Sequence, residues 1–139
     1  MPRPVISSQI RRVIDANYNR AKEGLRVCED VCRFVRNDPK ATAGLKKVRH
    51  GLMRAVAVFG LKDILASRDI ARDVGRKTIA DESCRRNVAD IFFANVQRVK
   101  ESLRVLEEFA KLKDAAAASG LKKLRYTVYE IEKNALRRM

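Results

Sequence analysis

One set of polar residues occurs twice in this 139-residue chain with the same order and spacing, and its residue types could bind an anion. The set consists of Asn17, Arg20 and Glu23 and, seventy-eight residues later, Asn95, Arg98 and Glu101. Two arginine side chains can hold a phosphate group, because each planar guanidinium donates parallel hydrogen bonds. The glutamates could instead neutralise the arginines, and the set would then only fix the register of two helices. The repeated set therefore predicts either a phosphate site or a closed ionic network.

The sequence around this set contains a longer internal repeat. Residues 16–29 and 94–107 are identical at nine of fourteen positions, and residues 44–49 return with one change at 120–125. Such self-similarity is typical of a supersecondary unit that has been duplicated. The chain is therefore predicted to consist of two copies of a helical hairpin.

Apolar residues at helical spacing, together with capping residues, predict four long helices. The first two should span about 8–36 and 39–65. The third should begin after Asp81 and end near residue 113, and the fourth should reach the terminus. We expect an all-α fold, an up-down-up-down bundle of two duplicated hairpins joined by one long loop. The expected layout is a single domain at 1–139. Its first repeat should span about 8–65, the loop about 66–81 and the second repeat about 82–138.

On a helical wheel, the repeated asparagines and arginines fall in the apolar sectors of the first and third helices. These helices run parallel in the expected bundle, so all four side chains should meet at one level inside it. The four are Asn17, Arg20, Asn95 and Arg98. Gly24 would keep one wall thin at this level, which favours a cavity over a packed core. We therefore expect the arginine pair to point inward and to bind an anion that enters from outside.

The loop at about 66–81 has no helical periodicity and is rich in charge, which is typical of a functional connection. It should leave the bundle beside the Asn–Arg layer and fold over it. Its candidate site residues are Arg68, Asp69, Asp73 and Gly75. Two aspartates beside arginines suit phosphoryl transfer, because carboxylates can hold Mg²⁺ or orient a nucleophile. The alternative is an ordinary solvated surface loop.

Composition limits the classes of function. The formal charge of +14 indicates an anionic partner, such as a phosphorylated metabolite, an acidic protein or a nucleic acid. Basic residues are spread over all four predicted helices and aromatic residues make up only 6%, which weighs against nucleic acid. The chain has neither an apolar run of about 20 residues nor a signal-peptide core, so we expect a cytoplasmic protein without membrane contact. Phe92 and Phe93 could supply the interface of a homo-oligomer.

Three groups of residues carry a resemblance to a known family. They are Asp15-Ala16-Asn17, Arg20, Glu23 to Val27 and Glu29; then Arg68-Asp69 and Asp73-Val74-Gly75; then Asn95, Arg98, Glu101, Leu103 to Glu108, and Leu124-Arg125-Tyr126 with Tyr129. Together they resemble the helical domain often fused ahead of thiamine phosphate synthase, a family described as a monofunctional hydroxymethylpyrimidine phosphate kinase. The chain would be its stand-alone form or a piece cut from such a fusion. Ile70 and Arg72 depart from that family's pattern, which usually has Thr and Gly there.

The resemblance implies a kinase that transfers the γ-phosphoryl group of ATP, with Mg²⁺, to hydroxymethylpyrimidine phosphate. The product would be the diphosphate used in thiamine biosynthesis, and thiamine phosphate synthase would be a candidate partner. Two other hypotheses stay open. The chain could be a non-catalytic module that binds a phosphorylated ligand or assists the synthase, or it could be a basic helical nucleic-acid-binding protein.

Residue roles follow from combining the resemblance with the chemistry of the side chains. The catalytic candidates are Arg20, Arg98, Asp69 and Asp73. The arginines would contact the substrate phosphate or the transferred group, and the aspartates would hold Mg²⁺ or accept the hydroxymethyl proton. The substrate-binding candidates are Asn17, Asn95, Glu23, Glu101, Arg68 and Gly75. The asparagines would hydrogen-bond the pyrimidine or a phosphate oxygen, and the glutamates are second candidates for the role of the aspartates.

Overall fold

The computed structural model describes residues 6–77 and 84–139. Its five α-helices are α1 Ser8–Asp30, α2 Pro39–Val56, α3 Leu61–Ala66, α4 Val88–Ala110 and α5 Ala115–Leu136. A π-helical turn at Val31–Val35 extends α1, and a 3₁₀ turn at Ala57–Phe59 follows α2. No strand occurs in these two ranges, so the all-α prediction is confirmed.

Side-chain caps determine where four of the helices begin. The side-chain oxygens of Ser7, Asp38, Asn87 and Asp114 each accept a hydrogen bond from a backbone N–H in the first turn, over 2.8–3.2 Å. Such caps satisfy backbone donors that have no partner inside the helix. The predicted start of the third long helix is wrong, because α4 begins only after Asn87. Asp81, the predicted cap, lies outside the described residues.

The second predicted helix, at 39–65, is divided in two. Gly60 adopts a φ of 78°, in the left-handed region that glycine enters at little cost. The backbone therefore leaves α2 through the 3₁₀ turn and starts the short α3 in a new direction. This break brings α3 against α1, next to the start of the long loop.

The direction of α4 differs from the expectation. Cys28 Sγ lies 3.6 Å from the carbonyl oxygen of Phe92, whereas Gly24, one turn earlier, packs against Asn95 and Val99. Lower numbers in α1 thus meet higher numbers in α4, so the two helices are antiparallel. The predicted parallel arrangement is wrong, and α4 runs in the same direction as α2.

The long connection between α3 and α4 explains this direction. It begins beside Asp15, which pairs with Arg68, and the helix that follows it packs beside Cys28. These levels are about 20 Å apart along α1, at 1.5 Å per residue. A connection of this length can cover that distance, so the chain is free to enter α4 from the opposite end.

Each long helix packs against two others: α1 against α2 and α4, and α5 against α2 and α4. The core between them is apolar and contains Phe92, which is fully buried and stacks edge-on with Phe93 at 5.3 Å. Phe92 is therefore a core residue rather than an interface residue. Within the described residues, no helix is long and apolar enough to cross a bilayer.

Gly24 allows α1 and α4 to approach closely. A methyl group there would lie 2.8 Å from Val99 Cγ2 and 3.1 Å from the carbonyl oxygen of Asn95. At Gly120, inside α5, a methyl group would meet no atom of the described chain within 4 Å outside its own helix.

We expect Gly24→Ala to lower the free energy of unfolding by about 1–3 kcal/mol, because the added carbon overpacks a rigid contact. Gly120→Ala is the matched control and should raise it by up to about 1 kcal/mol through helix propensity. Urea denaturation of the two variants and the wild type measures both changes. An unchanged or more stable Gly24→Ala protein would contradict the close packing.

Candidate functional site

The candidate site is a cavity of about 700 Å³ between the outer face of α1 and the loop that follows α3. Its lining is Gln9, Arg12, Val13, Asp15, Ala16, Asn17, Asn19, Arg20, Glu23, Arg68, Asp69, Ile70 and Asp73. We call it the loop cavity. It combines three arginines with four carboxylates and two asparagines, which is a donor and acceptor set for a polar, charged ligand.

Two contacts fix the loop on α1. Arg68 donates from Nε to Asp15 Oδ2 at 2.8 Å and from Nη2 to Asp15 Oδ1 at 2.9 Å. Arg12 donates from Nη2 to the carbonyl oxygen of Asp69 at 3.2 Å. A bidentate arginine–carboxylate pair fixes orientation as well as distance. The loop segment that carries Asp69 is therefore oriented by α1.

We call the Asp15–Arg68 pair the anchor. Asp15 is its buried member. It is only 4% exposed, and its carboxylate also accepts a hydrogen bond from Asn19 Nδ2 at 3.2 Å. A buried carboxylate is stable only with such partners. The hydrogen bond to Asp15 and the charge of that carboxylate raise the pKa of Arg68. The two groups are committed to each other by two hydrogen bonds, so neither is free to contact a ligand in the same way.

The loop cavity collects six of the predicted site residues and excludes four. Those that line it are Asn17, Arg20, Glu23, Arg68, Asp69 and Asp73. Those that do not are Gly75, Asn95, Arg98 and Glu101. The structure therefore brings the first copy of the repeated set to the loop, as expected, but not the second copy.

The predicted inward-facing arginine pair does not exist. Arg20 and Arg98 are both exposed, and neither guanidinium has a hydrogen bond or ion pair within the described ranges. The pair is missing because Gly24 lets α1 and α4 pack in direct contact at the level where a cavity was expected. The antiparallel packing also separates the copies, since Asn95 lies level with Gly24, about two helical turns from Asn17.

The two asparagines are partly satisfied by their own helices. Asn17 Nδ2 donates to the carbonyl oxygen of Val13 at 2.9 Å, and Asn95 Nδ2 donates to that of Ile91 at 2.8 Å. Each bond orients the amide and leaves its oxygen available as an acceptor. In Asn17, which lines the cavity, this oxygen can accept a hydrogen bond from a ligand.

Comparison with known proteins places this arrangement in a family. The sequence profile of the ThiD2 family matches residues 12–134, which is most of the chain and includes every residue that lines the cavity except Gln9. The chain belongs to the ThiD2 family. No solved structure matches it.

The relatives of this ThiD2-family chain carry the name thiamine-phosphate synthase. The one from Synechocystis sp. (strain ATCC 27184 / PCC 6803 / Kazusa) is 43% identical over 128 residues, covering 91% of this chain and 36% of that protein. The one from Nostoc punctiforme is 36% identical and covers 94% of this chain and 36% of that protein. The one from Thermosynechococcus vestitus is 39% identical and covers 89% of this chain and 34% of that protein. The chain thus spans about a third of the length of these curated relatives.

The loop aspartates of this ThiD2-family chain keep acceptor capacity for a ligand. Asp69 Oδ1 accepts from the backbone N–H of Arg72 at 3.2 Å, and Asp73 Oδ1 accepts from that of Gly75 at 2.9 Å. Gly75 therefore shapes the loop rather than lining the cavity. Residues 6–77 and 84–139 contain no cluster of three or more metal-ligating His, Cys, Asp or Glu side chains. Two carboxylates are nevertheless a common protein contribution to an Mg²⁺ site, where waters and substrate phosphates complete the shell.

Sequence reasoning missed Arg12, Asp15 and Asn19 as members of the site. Asp15 formed part of the family resemblance, but no chemical role followed from that. The available signal was a carboxylate one turn before Asn19, but Arg11 and Arg12 offered it partners much closer in sequence. Its partner, Arg68, is 53 residues away, and only the folded loop reveals the pair.

Proposed function

We propose that this chain is an ATP-dependent kinase that converts hydroxymethylpyrimidine phosphate to its diphosphate for thiamine biosynthesis. The observation that carries the proposal is the loop cavity, where Arg20 and Arg68 face the same space as Asp69 and Asp73. Phosphoryl transfer depends on positioned cations and metal-binding carboxylates rather than on covalent chemistry by the protein. Membership of the ThiD2 family and relatives named thiamine-phosphate synthase support thiamine biosynthesis as the setting.

The proposed reaction needs no general base. An oxygen of the acceptor phosphate attacks the γ-phosphorus of ATP and forms a new P–O bond, while the bond to the β–γ bridging oxygen breaks and ADP leaves with that electron pair. The hydroxymethyl oxygen already carries the acceptor phosphate, so it has no proton to lose. A phosphate monoester has its second pKa near 6, so the acceptor is largely dianionic at neutral pH. This chemistry argues against the predicted proton-accepting role of the aspartates.

The remaining roles are assigned to atoms in the cavity. Arg20 is free to contact the transferred group, because its guanidinium has no partner in the described part of the chain. Asn17 presents an amide oxygen to the pyrimidine or its amino group. Asp69 and Asp73 are the residues that would hold Mg²⁺, which when bound neutralises negative charge on the phosphates. Arg68 fixes the loop through Asp15.

The two hairpins, α1–α2 and α4–α5, are proposed to be duplicated units. Matching contacts support this: Arg49 donates from Nε to Glu29 at 3.1 Å, and Arg125 donates from Nη2 to Glu107 at 2.9 Å. The anchor has no second copy, because the repeat puts Phe93 at the position of Asp15. The loop cavity is thus a feature of the first hairpin alone.

A coupled assay tests the proposal with purified protein, ATP, Mg²⁺ and hydroxymethylpyrimidine phosphate. We expect ADP formation that requires the pyrimidine phosphate, together with appearance of the diphosphate. ADP at the background rate at all substrate concentrations would refute the kinase activity.

A second candidate function is a non-catalytic module that serves thiamine phosphate synthase. The names of the relatives favour it, because the matched region is part of proteins called synthases. This alternative predicts that the pyrimidine phosphate raises the melting temperature while no ADP forms. Measuring ADP formation and thermal stability on the same sample separates the two functions.

A further inference from the structure

A second cavity adjoins the loop cavity on the other side of α1. It has a volume of about 680 Å³, lies between α1 and α2, and is lined by Tyr18, Asn19, Lys22, Glu23, Arg26, Arg49, His50 and Met53. We call it the α1–α2 groove. Asn19 and Glu23 line both cavities, so the two spaces meet along this pair of residues.

The α1–α2 groove is positively charged and only partly neutralised. Lys22 Nζ sits 4.2 Å from the centre of the Tyr18 ring rather than on a carboxylate. Arg49 is held by Glu29 at 3.1 Å, and Arg26 reaches the same carboxylate only at 3.9 Å. One buried glutamate thus serves two arginines. Such a site favours a ligand that carries several negative charges.

The second hairpin shows how the equivalent cations are neutralised within the chain. Lys100, the repeat counterpart of Lys22, is bound by Glu132 at 2.9 Å, whereas the position equivalent to Glu132 in α2 is Val56. Arg125, the counterpart of Arg49, donates to the Tyr129 hydroxyl at 2.9 Å. The second copy thus satisfies its cations internally, while the first leaves Lys22 without an acidic partner among residues 6–77 and 84–139.

The two hairpins also differ in the size of two side chains beside these cations. Tyr126 and Tyr129 stand where the first hairpin has His50 and Met53, and the two tyrosine rings stack edge-on at 5.5 Å. These rings also lie 5.4 Å and 5.7 Å from the guanidinium carbon of Arg125. The smaller pair in α2 therefore leaves the groove open over the same cations.

We infer that the α1–α2 groove binds the polyphosphate of the nucleoside triphosphate that donates the phosphoryl group. The inference rests on the proposed kinase function, in which the loop cavity holds the acceptor. The terminal phosphate lies beside Asn19, where the two cavities meet. Lys22 and Arg26 contact the phosphates, and Met53 offers an apolar surface for the nucleoside.

Isothermal titration of the full chain with Mg²⁺ and a non-hydrolysable ATP analogue tests this assignment. The double variant Lys22→Ala, Arg26→Ala should raise the Kd of the analogue at least 30-fold, because each charge-assisted contact contributes about tenfold. The Kd of hydroxymethylpyrimidine phosphate should change less than about twofold. The matched control is Arg104→Ala, which removes the counterpart of Arg26, a surface residue paired with Glu108 at 3.3 Å. It should leave both Kd values unchanged.

A second variant blocks the groove without removing charge. His50→Tyr combined with Met53→Tyr copies the tyrosine pair of the second hairpin and should also abolish analogue binding, with circular dichroism confirming the helical fold. Wild-type affinity for the analogue in both variants, while ADP formation persists, would overturn the groove assignment and leave the kinase intact. If the wild-type chain makes no ADP but binds the analogue, and both variants weaken that binding, the kinase activity would be refuted while the groove assignment would stand. A wild-type chain that does not bind the analogue would overturn the groove assignment outright.

Discussion

Arg20→Ala is expected to lower kcat/KM for phosphoryl transfer at least about 100-fold, the range found when a donor to developing transition-state charge is removed. Arg20 lines the loop cavity and is exposed to it, and its guanidinium has no partner in the described structure. An arginine without an internal partner has no structural contact to lose, so the fold should be unaffected. Steady-state kinetics combined with thermal unfolding measures both quantities.

Arg98→Ala is the matched control for this variant. Arg98 is the repeat counterpart of Arg20 and is also exposed without a partner in the described ranges, but it does not line the cavity. Its loss should change kcat/KM less than about threefold. A comparable loss in both variants would restore the hypothesis that the two arginines act together, and wild-type rates in both would remove Arg20 from the site.

Breaking the anchor between α1 and the loop should produce the next largest effect. Arg68→Ala and Asp15→Asn are each expected to lower kcat/KM about 10–100-fold, because misplacing catalytic groups by about 1 Å can cost this much. Both changes break one of the two contacts that hold the segment carrying Asp69 and Asp73 on α1, and they leave only the hydrogen bond from Arg12. Faster hydrogen exchange of the loop amides should accompany the loss.

A double-mutant cycle distinguishes an anchor from two independent contacts. If Asp15 and Arg68 act only through each other, the double variant should be no worse than the more damaging single variant. Arg72→Ala is a suitable control, since Arg72 is 84% exposed and its guanidinium pairs with Asp69 at 3.5 Å, within the loop and not with α1. Fully additive losses from the two anchor variants would show that they do not act as a pair.

Much of the local structure was predictable because it depends on residues close in sequence. The caps at Ser7, Asp38 and Asp114 and the α1 start are local hydrogen-bond patterns that the sequence encodes directly. The half of the site that lies on the first hairpin could also be predicted. Arg20 and Glu23 lie on one face of α1, and the loop had to begin at the same end of the bundle.

The errors came from long-range packing. The direction of α4 depends on a connection of about twenty residues, and the repeat alone does not determine whether duplicated hairpins pack parallel or antiparallel. Gly24 had two interpretations, a cavity wall or a close helix contact, and only the position of Val99 decides between them. The helical wheel put Arg20 inside the apolar sector, but its long charged side chain reaches solvent from there.

The most direct test of the central claim is to map where hydroxymethylpyrimidine phosphate binds, by NMR titration of the isotope-labelled chain. We predict that the largest amide shifts fall in α1 between residues 9 and 23 and in the loop between residues 68 and 73, and that Arg20→Ala abolishes them. Shifts centred instead on α4 around Asn95 and Arg98, or saturable binding that Arg20→Ala leaves intact, would contradict the assignment of the loop cavity as the substrate site.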